Sequence, residues 1–215
     1  MKERPILFSG PMVRAILDGR KSQTRRVVKP QRHPFGDMLT ANEVALEFSS
    51  GTRSVRCPYG QPGDRLWVRE TFQPIFAEGV EYKDTDWSTG KGYSIRYVAT
   101  DGITDWVDPD DNMTNRCKPS IHMPRWASRI TLEITGVRVE RLQEISEEDA
   151  KKEGIESEGG DPKMWKSYNP KLGWLSVDDP AMSYRTLWES INGPGSWDAN
   201  PFVWVVEFKR LDGGR

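Results

Sequence analysis

The chain has 215 residues, which suits one domain with generous loops or two small ones and is enough to bury a core. Its 36% hydrophobic and 29% charged content excludes a disordered polymer, and a net charge of -1 excludes a global field that draws it to nucleic acid. No apolar run approaches a membrane span and no secretory signal opens the chain. Two cysteines, Cys57 and Cys117, are too few for a disulfide framework, so a reduced, cytoplasmic protein is expected.

The charge is unevenly spread. Residues 1–34 hold nine Lys and Arg against two acids, while residues 144–161 hold eight acids against two Lys. These are expected to be solvated faces of opposite sign that touch each other, or a local basic pocket.

Taken in chain order, Ile6–Phe8 is a short strand. Gly10-Pro11 opens a helix with proline at its first turn, and Val13, Ile16 and Leu17 share one face of it. Gly19 ends that helix through a left-handed cap, and Thr24–Lys29 follows as a strand. Residues 31–60 read as loop, with a weak strand at Val44–Phe48. The turn Gln61-Pro62-Gly63-Asp64 leads into a strand over Arg65–Phe72. Residues 73–128 are polar and turn-rich, with one alternating strand from Tyr93 to Ala99. Arg129–Thr135 is the clearest strand, Gly136 suggests a bulge, and the strand period resumes at Val137–Leu142. Ser146-Glu147-Glu148-Asp149 caps a short acidic helix that Gly154 stops. Residues 155–179 are another polar excursion. Asp179-Pro180 opens a helix with Tyr184, Leu187, Trp188 and Ile191 on one face, and Phe202–Phe208 is an apolar strand expected to be central. The sum is a mainly β, α+β chain. A small closed barrel with short flanking helices is favoured over a sandwich.

One segment is out of place in a core. Gly19-Arg20-Lys21-Ser22-Gln23-Thr24-Arg25-Arg26 packs four cations and two hydroxyls into eight residues. Gly19-x-Lys21-x-x-Thr24-x-Arg26 resembles the G-x-K-x-x-T-x-R signature of ASCH domains. Pro62-Gly63-Asp64 resembles that family's G-D turn. Ile145–Ala150 with Glu153-Gly154 resembles its acidic helix, and Phe202–Leu211 its closing strand. The likeness runs over nearly the whole chain, including Pro119–Pro124, and is strongest to ASCH proteins of phages and prophages.

The resemblance implies a single PUA-like β-barrel over 1–215, with insertions at 73–128 and 155–179 that compact members lack. It implies a role with RNA or modified nucleosides. Compact members of the family are amidohydrolases that deacetylate N-acetylcytidine, and their catalytic Lys, Thr and Glu carry over to Lys21, Thr24 and Glu153. The Thr hydroxyl is then the nucleophile, Lys21 its base and Glu153 an acid and base. Lys21 can serve only with a pKa well below the free ~10.4, through desolvation and its like-charged neighbours. Arg26 would hold an oxyanion or phosphate, and Arg20 and Arg25 belong to the same basic turn. Glu133 is a second candidate acid. Trp126, flanked by Arg125 and Arg129, is the first choice among the tryptophans for stacking on a nucleoside, and Arg129 would join it in binding. Three other readings stay open, a non-catalytic RNA-binding module, a ribonuclease, and a protein-interaction scaffold made by the insertions. No cofactor is expected, because the chain has no phosphate loop or dinucleotide fingerprint. No metal is expected either, because Cys57, Cys117, His33 and His122 lack paired ligand spacing.

Overall fold

The computed structural model describes residues 1–51, 55–108, 112–159, 163–169 and 176–211. Parts of the polar segments, among them Asp110, Asp111 and Trp174, lie outside the described residues. Strand exceeds helix, and the chain is mixed α+β. In order it runs β1 (Glu3–Leu7), α1 (Gly10–Leu17), β2 (Gln23–Val27), β3 (Gln31–Arg32), β4 (Met38–Leu39) and α2 (Ala41–Ser49). Next come β5 (Arg65–Arg69), β6 (Phe72–Phe76), β7 (Tyr93–Tyr97), α3 (Val98–Asp101), β8 (Trp106–Val107), β9 (Met113–Thr114) and β10 (Thr131–Arg141). The last third holds α4 (Glu147–Lys152), β11 (Ser157–Gly159), β12 (Met164–Lys166), β13 (Ser176–Val177), α5 (Pro180–Asn192) and β14 (Phe202–Leu211).

The main sheet has the order β1-β5-β10-β14-β2, with β1 parallel to β5 and the other pairs antiparallel. Strand β14 is interior, flanked by β10 and β2, as its apolar run requires: Val203, Trp204, Val205, Val206 and Phe208 are all buried. Strand β10 is long and shifts register between Ile134 and Gly136, where the glycine falls. A Cβ on Gly136 would sit 2.7 Å from Glu207 Oε2.

The closed barrel is not what forms. The sheet ends on β1 and β2, and no ladder joins those two edges. Helix α1 connects them, and the Arg26 guanidinium of β2 reaches the Leu7 carbonyl of β1 at 2.8 Å. A side chain, not a row of backbone hydrogen bonds, spans the gap.

The weak strand at Val44–Phe48 is instead helix α2. Thr40 caps it, and Glu43 returns the hydrogen bond to the Thr40 N–H, forming a capping box. Val44 and Ala45 then bury, and Phe48 packs edge-on against Trp204 at 4.7 Å. The strand expected from Tyr93 to Ala99 ends at Tyr97, where α3 begins. The insertion at 73–128 is not bare loop. It carries β6 to β9 and closes a second core of Phe72, Tyr97, Met123 and Ala127. No helix among the described residues is long and apolar enough to cross a membrane.

Candidate functional site

Lys21 and Glu153 are far apart in sequence, and local geometry brings them together. Gly19, at φ +74°, turns the chain after α1, and the Lys21 N–H donates back to the Ala15 carbonyl at 2.9 Å. The Ser22 N–H donates to the Lys152 carbonyl at 2.9 Å, and Lys21 and Glu153 form an isolated antiparallel bridge. Gly154 makes this approach possible. Its φ is +87°, and a Cβ there would lie 2.8 Å from Lys21 Cβ and 2.9 Å from Ala15 Cβ. Helix α4 begins on the Ser146 side-chain cap and ends at Glu153, so its C-terminus delivers the carboxylate.

The Lys21 ammonium donates to Glu153 Oε2 at 2.9 Å and to the Glu153 carbonyl at 2.7 Å. Arg25 Nη1 donates to Glu153 Oε1 at 3.1 Å, so both carboxylate oxygens are engaged. Lys21 and Glu153 are 5% and 3% exposed, which removes nearly all water from the pair. Arg25 Nη2 bonds Glu140 and Asp149, while its buried Nε has no hydrogen-bond partner among the described residues. Arg138 grips Glu140, Asp149 and Glu207 behind them. A buried ion pair of this kind fixes geometry more than it adds stability, because desolvation offsets most of the Coulomb gain.

Burial pushes the Lys21 pKa below its ordinary value, against the pull of Glu153, and Arg26 and Arg25 add to the fall. Desolvation opposes the charge on Arg25 as well, yet Glu153, Tyr184 and Glu140 together raise its pKa. Of the two cations on Glu153, Lys21 is the one whose pKa falls and Arg25 the one whose pKa rises. The Tyr184 hydroxyl, wholly buried, is pushed well above its usual pKa by desolvation and by Glu153, and stays neutral.

These residues surround a cleft of about 70 Å³. Lys21, Thr24, Arg25, Arg26, Glu153 and Tyr184 give it a polar end, and Phe8, Met12, Leu187 and Trp188 an apolar wall. Phe8 lies under two cations, with Lys21 Nζ 5.6 Å and Arg26 Cζ 5.3 Å from its ring centre. Val27 and Ile191, both exposed, are also lining residues, with Asn192. Thr24 is 2% exposed on edge strand β2, opposite Val206, and its hydroxyl bonds no described residue.

No family model, curated protein or solved structure matches this chain.

Of the nine residues singled out by sequence, five line this cleft: Lys21, Thr24, Arg25, Arg26 and Glu153. Arg20 is close by but turned outward, donating to the Gly154 carbonyl at 3.1 Å and to Asp18 at 3.0 Å. The other three do not line it. Trp126 packs edge-on against Trp87 at 5.0 Å in the second core and donates its indole N–H to the Trp87 carbonyl. Arg129 forks onto Glu70 with two 3.0 Å bonds and covers the Tyr97 ring at 4.0 Å. Glu133 pairs with Lys209 at 3.0 Å.

The sequence reading missed Tyr184, Leu187, Trp188 and Phe8 as cleft residues. Their signal was visible as apolar periodicity, but a core face and a cleft wall have the same period. It also missed Glu140, Asp149 and Arg138, whose spacing on β10 and α4 gives no hint that they meet. Among the described residues, no group of three His, Cys, Asp or Glu is placed to hold a metal.

Proposed function

We propose that this chain is an ASCH-like amidohydrolase that removes a small acyl group from an acylated nucleoside of the N-acetylcytidine type. One observation carries the reading. A lysine and a glutamate 132 positions apart meet, nearly water-free, in the cleft that Thr24 also lines. A stability role alone gives no reason to place a hydroxyl that bonds no described residue in the same cleft as a buried lysine of lowered pKa.

In the reaction, Lys21 in its neutral form takes the Thr24 proton as Oγ1 attacks the amide carbonyl carbon. The developing oxyanion is met by Arg26 and by the Tyr184 hydroxyl, a neutral donor. The proton held between Lys21 and Glu153 passes to the leaving nitrogen, and the C–N bond breaks to leave an ester on Thr24. Water then attacks the ester, Lys21 takes its proton and returns it to Thr24 Oγ1 as the Thr24 ester C–O bond breaks, and the carboxylic acid departs. Arg25 touches no reacting atom. It holds Glu153 in place and keeps that carboxylate paired when Lys21 is neutral.

Cleft size supports a small acyl group. About 70 Å³ admits an acetyl-sized group and its amide, whereas whole-ligand sites run to ~300–1,000 Å³. The nucleoside body then rests on Val27, Ile191 and Asn192. A non-catalytic RNA module draws less support from this site, because Lys21 and Arg25 are buried and paired and offer little charge to phosphates.

Incubation of the purified protein with N-acetylcytidine, followed by chromatography, tests the proposal. Cytidine is expected from the wild type, with Lys21→Ala and Thr24→Ala slower by about 10²-fold or more. Absence of turnover by the wild type, or turnover undiminished in both variants, would overturn it.

A further inference from the structure

A second, larger cavity lies away from the cleft and shares no lining residue with it. Its volume is about 770 Å³, within the ~300–1,000 Å³ typical of small-molecule sites. It sits where the start of β1, the end of α2 and the 55–64 loop meet, with Val137 of β10 also in the lining.

The charge in this cavity is one-sided. Among the described residues, Arg4, Lys2 and Arg56 line it, against one acid, Asp64. Asp64 is already committed: it accepts the Lys2 N–H at 2.7 Å, Arg4 Nη1 at 3.0 Å and the Gln61 N–H at 3.4 Å. The carboxylate therefore cancels Arg4 and locks the strand start to the turn. The side-chain charges of Lys2 and Arg56 remain, both exposed and neither in an ion pair with a described residue. Phe48, Val55, Cys57 and Val137 supply an apolar part of the lining, and Gln61 adds a polar side chain. Burial raises the Cys57 thiol to about 11, so it contributes an uncharged wall and not a thiolate. Gly60 completes the fit. At φ +131°, it lets the loop backbone approach Arg4, whose Nη1 would lie 2.9 Å from any Cβ there.

We infer that this cavity is a binding site for a nucleoside phosphate, with Lys2 and Arg56 meeting the phosphate and Phe48, Val55 and Val137 flanking the base. Two cations with no ion-pair partner among the described residues, in a cavity that Phe48, Val55 and Val137 also line, call for an anion carried on an apolar body. A free nucleotide and an RNA end both present that chemistry. The site is independent of the amidohydrolase reading, because no residue in it takes part in the acyl transfer.

The test is titration calorimetry of the full chain with adenosine monophosphate, adenosine and a short single-stranded oligoadenylate. Adenosine monophosphate is expected to bind saturably and to weaken as salt rises. Lys2→Glu/Arg56→Glu should weaken it by about tenfold or more, equal to ~1.4 kcal/mol. Both positions are exposed, so the variant is expected to keep its fold, checked by an unchanged melting curve. Lys21→Ala should leave the affinity unchanged. An oligonucleotide that binds more tightly, and is equally sensitive to the charge reversal, supports the site and assigns RNA as its source. A mononucleotide that binds as well as the oligonucleotide supports the site and assigns free nucleotide. No saturable binding, equal affinity for adenosine, an unaffected charge-reversal variant, or loss of binding in Lys21→Ala would each overturn the inference.

Discussion

At the residue scale, Glu153 is the hinge of the site because two cations depend on it. Removing it leaves Lys21 and Arg25 buried with one carboxylate fewer. Removing Lys21 leaves Glu153 still paired with Arg25. Glu153→Ala should therefore cost about 3–5 kcal/mol, and Lys21→Met markedly less. Urea denaturation of the two variants measures this, and equal costs would contradict it. The same asymmetry has a pH signature. The folded-state pKa of Lys21 lies below its ordinary 10.5. Between those two values the unfolded chain binds more protons than the folded one, so this group makes stability rise with pH. Subtracting the Lys21→Met curve from the wild-type curve should reveal that rise just below 10.5. A difference that stays flat with pH, or falls, would show that burial does not depress Lys21.

At the scale of elements, the site rests on how closely the end of α4 approaches the turn after α1. Gly154→Ala should open that contact, since the new Cβ meets Lys21 and Ala15 and the backbone stays at positive φ. The expected loss is about 1–3 kcal/mol, together with loss of the proposed N-acetylcytidine activity. Gly193→Ala is the control. Its φ is +93°, yet nothing lies within 4 Å of the added Cβ, so the cost is strain alone and activity should persist. Activity retained in Gly154→Ala would show that the bridge does not matter for the chemistry.

The elements also explain what could be read in advance. Strand β10 was legible because one-sided burial produces alternation, as at Leu132 and Ile134, and β14 because two-sided burial produces an unbroken apolar run. Lys21, Thr24 and Glu153 were legible as a set only through motif likeness, since nothing in spacing reveals a bridge across 132 positions. Helix α2 was not legible from Val44–Phe48, a run too short to separate helix from strand. The usable signal was the Thr40-to-Glu43 capping box just ahead of it. Trp126 drew attention for its flanking arginines, but Arg125 is bound to Glu3 and Arg129 to Glu70. Those partners lie at distances in sequence that no local pattern encodes.

At the scale of the whole molecule, the open sheet matters more than its departure from a barrel. Thr24 sits on edge strand β2, where the ladder stops, and α5 lies over that edge to form the far wall. A ladder closing β1 onto β2 would occupy the edge that the cleft uses. The long insertions stay clear of it: among the described residues, no cleft-lining side chain comes from 73–128 or 155–179. The first builds its own core around Phe72 and Met123, and the second adds the small β11–β12–β13 sheet. The most direct test of the central claim is a rapid acid quench of the protein turning over N-acetylcytidine, followed by peptide mass spectrometry. An acetyl ester on Thr24, absent from Thr24→Ala, is the predicted result; an adduct on another residue, or full turnover by Thr24→Ala, would contradict it.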